Sequence, residues 1–71
     1  MIVGNNKQQI EMIIDDLKFT VESSNSVATH YRKALQEHPE QVQWRRVIGQ
    51  AEGRAKLAQE IIKKLNELIQ D

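Results

Sequence analysis

One proline divides this chain into two nearly equal halves, and the apolar residues on either side of it mirror one another. Before Pro39, positions 10, 14, 17, 21, 24, 28, 31 and 35 hold Ile, Ile, Leu, Val, Ser, Ala, Tyr and Leu. After it, positions 44, 48, 51, 55, 58, 62, 65 and 69 hold Trp, Ile, Ala, Ala, Ala, Ile, Leu and Ile. Both series alternate steps of three and four without a break, which is the spacing of a coiled-coil seam. Folding one series back on the other matches Leu35 with Trp44, Tyr31 with Ile48, Ala28 with Ala51 and Ser24 with Ala55. The match continues to Ile10 with Ile69, and each pair of residue numbers adds to 79. The expected fold is therefore all-α, an antiparallel two-helix hairpin in a single domain spanning residues 1–71. Each arm of about 30 residues is roughly 45 Å long.

Local signals set the expected ends. Asn6 with Gln9 three residues later is a capping-box pattern, so helix 1 is expected over about residues 6–38. Proline suits the first position of a helix, having no N–H to leave unpaired. Helix 2 is therefore expected over about residues 39–70, with Glu40 near the positive end of its dipole. The Ser23-Ser24-Asn25-Ser26 stretch is poor helix-forming material, yet the seam stays in phase across it. One continuous helix, bent or straight, is expected there.

A hairpin has two flanks beside its seam. One carries Glu11, Lys18, Asn25 and Arg32 from helix 1 with Arg45, Glu52, Gln59 and Asn66 from helix 2, and is wholly polar. The other carries Ile13, Thr20, Val27 and Ala34 with Val47, Arg54, Ile61 and Leu68. Seven of those eight are apolar or Thr. A contiguous apolar stripe on a small protein usually marks an interface. An isolated helix pair of this size also buries little area against its chain entropy. The stripe is thus expected to be a dimer interface, two hairpins forming a four-helix bundle. Arg54 reads either as a side chain reaching the rim or as a charge buried at the dimer waist, paired with Glu or bound to an anionic ligand.

Composition removes several functional classes. Ten Lys and Arg balance ten Asp and Glu in 71 residues, so nothing in the total charge points to nucleic acid. There is no cysteine, which excludes disulfides, thiol nucleophiles and thiolate metal sites. No apolar run approaches the ~20 residues of a membrane span, and no leader pattern stands at the N-terminus. No membrane association and a cytoplasmic location are the expectation. His30 and His38 are eight apart, a spacing that does not converge on a metal. Asp15, Asp16 and Glu11 sit on a solvated helix face rather than in a cleft. No catalytic or phosphate-loop motif is present. The expectation is a non-enzyme with no cofactor and no metal.

Two readings of function remain. The first is a small regulatory protein that binds another protein as a homo-oligomeric bundle. Its partner-binding candidates are Met12 and Phe19, seven apart on the outer face of helix 1, with Leu57 as a further apolar residue outside the seam. The basic turn end adds Arg32, Arg45 and Arg46. Residues 30–46 carry a net +2 against −2 for residues 5–26, and Arg32 is expected opposite Arg45, a like-charge contact that favours an anionic partner. The second reading is a binding module for a small anionic ligand such as a nucleotide, or for nucleic acid. It rests on Gly49 and Gly53, which cost helix stability, beside Arg46, Arg54 and Lys56.

Overall fold

The computed structural model describes residues 4–70, with side chains from residue 6 onward, so residues 1–3 and 71 of the expected domain lie outside the described ones. Two helices, α1 (Gly4–Glu37) and α2 (Trp44–Ile69), pack against each other as a hairpin. No strand occurs among the described residues.

The seam accounts for the packing. All sixteen seam positions are buried or half-buried. The fully buried ones are Ile14, Ser24, Ala28, Ile48, Ala51, Ala55 and Ala58. Five of these seven are Ala or Ser, so the waist is narrow and the helix axes approach closely there. The tightest cluster joins Ala28, Ile48 and Ala51, with Tyr31 and Leu35 packed on it. That cluster realises the rungs Ala28–Ala51 and Tyr31–Ile48. The Ser23–Ser26 stretch lies inside the unbroken α1, as the in-phase seam requires.

Both helix starts differ from the sequence expectation. α1 already includes Asn6, so that residue extends a helix instead of capping one. An exposed Asn costs a helix only about 0.5 kcal/mol, which extra backbone hydrogen bonds offset. α2 begins at Trp44, five residues beyond Pro39. The reason is geometric. Antiparallel helices lie about 8–10 Å apart, and a chain cannot reverse across that gap between consecutive residues. The connection is instead a set of tight turns. The Gln41 N–H donates to the His38 carbonyl, Trp44 to Gln41, Arg45 to Val42 and Arg46 to Gln43, all at 3.0–3.1 Å. Pro39 thus opens the turn, and Gln43 caps α2 by position alone, without a side-chain hydrogen bond.

The hairpin is long and thin, 54 × 14 × 14 Å, with a radius of gyration of 16.2 Å. A compact chain of this length has a radius of gyration of about 11 Å. Its accessible surface is 5738 Å². A compact monomer of the same mass exposes about 4,500 Å². The excess of about 1,200 Å² follows from the elongated, one-layer shape.

Candidate functional site

The apolar flank has no partner within the hairpin. Thr20, Ala34 and Val47 are half-buried against the seam, while Ile13, Val27, Ile61 and Leu68 are exposed. Thr20 behaves as an apolar residue here. Its Oγ1 donates to the Asp16 carbonyl one turn back at 3.2 Å, so the hydroxyl is satisfied within α1. Arg54 is exposed in the middle of this flank. It lies level with the waist, where the neighbouring seam residues are all small.

The outer face of α1 carries a separate apolar pair, Met12 and Phe19, the latter 71% exposed. It sits about a quarter-turn round the helix from Ile13 and Thr20. Asp16 lies between the two rows. Leu57 is also mostly solvent-exposed, and it lies one turn from both Arg54 and Ile61 on α2. Val42 in the turn is a further exposed apolar residue that spacing does not reveal, because it belongs to no helix.

The turn end combines aromatics with cations. Trp44 meets Tyr31 edge-on with ring centroids 5.9 Å apart. His38 stands edge-on to Trp44 at 6.1 Å, and His30 to Tyr31 at 5.4 Å. His38 Nδ1 lies 3.5 Å from Glu40. Arg45 and Arg46 are exposed at the start of α2. Arg32 departs from the expected like-charge contact. Its guanidinium pairs with Glu52, two turns further along α2 than Arg45. Each flank position in an antiparallel pair has two neighbours on the other helix, and the opposite charge takes the contact.

The two glycines of α2 face open space. A methyl group added at Gly49 or Gly53 meets nothing within 4 Å. No backbone approaches them within the hairpin. Arg46, Gly49, Gly53 and Lys56 follow steps of three, four and three and share one outer face. Arg54 is turned about a quarter-circle away, onto the apolar flank. The five candidates for an anionic ligand therefore do not form one cluster.

Among the described residues, no three His, Asp or Glu side chains converge to hold a metal ion. No described helix is long and apolar enough to cross a membrane. A shallow open depression of about 300 Å³ lies along α1 between His30, Lys33, Ala34 and Glu37. Compared with models of protein families, with curated proteins and with solved structures, the chain matches none.

Proposed function

We propose that this protein is a non-enzymatic interaction protein that acts as a homodimeric four-helix bundle and binds a partner protein. The observation that carries the reading is the unpartnered flank of Ile13, Val27, Ile61 and Leu68 on a hairpin only 14 Å thick. The surplus surface of about 1,200 Å² exceeds the roughly 800 Å² per partner of a standard interface. The hairpin's own core supports the same reading. Among the described residues its only buried large side chains are Ile14 and Ile48, a thin core against the entropy of ordering two helices. Pairing flank to flank buries the four exposed residues in a second core.

Partner binding falls to what remains exposed in such a bundle. Met12 and Phe19 offer an apolar contact, and Arg45 and Arg46 a cationic one. Arg32 contributes less, since Glu52 already neutralises it. Native mass spectrometry of the purified chain tests the assembly. A mass of twice the chain supports the reading. A mass of one folded chain contradicts it.

A second reading rests on the open backbone at Gly49 and Gly53, flanked by Arg46 and Lys56. It makes α2 a surface for an anionic ligand or nucleic acid. Salt separates the two, because phosphate binding weakens steeply with rising salt and an apolar protein contact does not.

A further inference from the structure

We propose that the two hairpins of the dimer stack with α1 of each over α2 of the other, turn beside turn. The twofold axis then runs along their length. This rests on the dimer reading above and specifies its geometry.

One row outward from the apolar flank, each helix carries a further set of exposed residues. On α1 the next row is Asp16, Ser23, His30 and Glu37, all exposed. On α2 it is Gln50, Leu57 and Lys64, also exposed. Joined to the flank residues, each row completes a second alternation of three and four, 13 to 37 on α1 and 47 to 68 on α2. A helix with two such seams has the form required inside a four-helix bundle.

The two second seams are unlike each other in charge and in size. That of α1 holds Asp16 and Glu37, with no Lys or Arg, and its small residues are Thr20, Ser23 and Ala34. That of α2 holds Arg54 and Lys64, with no acid, and its large residues are Leu57, Ile61 and Leu68. Stacking α1 on α1 sets carboxylate rows together, small against small. It also sets the cations of α2 together, large against large. Stacking α1 on α2 of the second copy sets one opposite-sign pair, Asp16 and Lys64, and places Thr20, Ser23 and Ala34 against larger residues, while Arg54 falls level with Val27 and Ile13 with Leu68. Asp16 then lies level with Lys64, Ser23 with Leu57, Thr20 with Ile61 and Ala34 with Val47. These pairs of numbers add to 80 or 81, one or two off the inner seam's 79, so one register serves both seams.

Two loose ends are absorbed by this arrangement. Leu57 is 58% exposed with no role in the hairpin, and it gains the space opposite Ser23. The depression beside His30, Ala34 and Glu37 falls level with Val47 and Gln50 of the second copy. The opposing consideration is that both basic turn ends come together. That repulsion acts across exposed side chains and is screened over about 8 Å at physiological salt, whereas Asp16 and Lys64 meet at contact range. The basic, aromatic ends of both hairpins then form one surface at one end of the bundle.

The chain has no cysteine, so Glu40→Cys in the exposed turn gives a single site for a nitroxide label. Pulsed electron-electron double resonance on the labelled full chain reads the distance between the two turns. The same sample is checked by native mass spectrometry. With helices about 8–10 Å apart, the turn-beside-turn dimer gives a label separation below about 30 Å. A dimeric mass with a separation near the 54 Å length of the hairpin overturns the proposed stacking but leaves the dimer standing. A monomeric mass overturns both. As a second measurement, Asp16→Lys weakens association by about tenfold or more, and adding Lys64→Asp restores it. Failure of the double variant to restore association also overturns the stacking.

Discussion

Arg32 Nη2 lies 2.5 Å from Glu52 Oε2 across the polar flank, so the guanidinium has an opposite charge at contact range. The pair is about half exposed on both sides, so it is worth about 0–1 kcal/mol. Replacing Glu52 with Gln is expected to lower the melting temperature by no more than a few degrees. The difference should vanish in 0.5 M salt, a condition that screens exposed pairs. A loss of several kcal/mol that survives salt would show the pair to be buried in the assembly.

The waist should resist enlargement. Ala28 is 1% exposed and sits against Ile48 and Ala51. Ala28→Leu is expected to destabilise the fold by about 1–3 kcal/mol, since the helix axes must separate to admit it. Urea denaturation followed by circular dichroism at 222 nm measures the change. Wild-type stability in this variant would mean that the seam is looser than the structure shows.

The outer face of α2 behaves oppositely. Gly49→Ala and Gly53→Ala meet no neighbour in the hairpin, so each is expected to stabilise the helix by up to about 1 kcal/mol. The melting temperature should rise for both. A fall would show that another backbone or a ligand lies against bare glycine in the assembled protein.

Arg54 and Phe19 separate assembly from partner binding. Arg54→Leu removes the one charge from the apolar flank and is expected to hold or raise thermal stability. A marked loss would assign the guanidinium a charge partner in the dimer. Phe19→Ser, on the outer face, is expected to change stability by less than about 0.5 kcal/mol and to leave the assembled mass unaltered. A dissociated Phe19→Ser protein would move that face into the assembly.

Much of the fold was legible because one physical signal dominates it. An unbroken three-four alternation can bury its residues only along a helix seam, and Pro39 fixes where the chain reverses. The waist was legible for the same reason, since Ala51, Ala55 and Ala58 occupy consecutive seam positions. The turn was not. The preference of proline for a helix start is local, while the five residues before Trp44 are set by the gap between helices. The start of α1 escaped as well, because Asn6 satisfies a capping pattern and an exposed helical position almost equally well. Among the candidate residues, level-by-level matching placed Arg32 opposite Arg45. Only the competing charge two turns along selects Glu52. The opposed charges of the second seams stand in the sequence, but they become visible only once the flank shows which rows lie beside it.

The proposed function requires a hairpin that pairs with a second copy. Sedimentation equilibrium at micromolar concentration tests it most directly. A single helical species at twice the 8.2 kDa chain mass is expected, with loss of helix together with loss of the dimer on dilution. A stably folded species of 8.2 kDa at that concentration would contradict it.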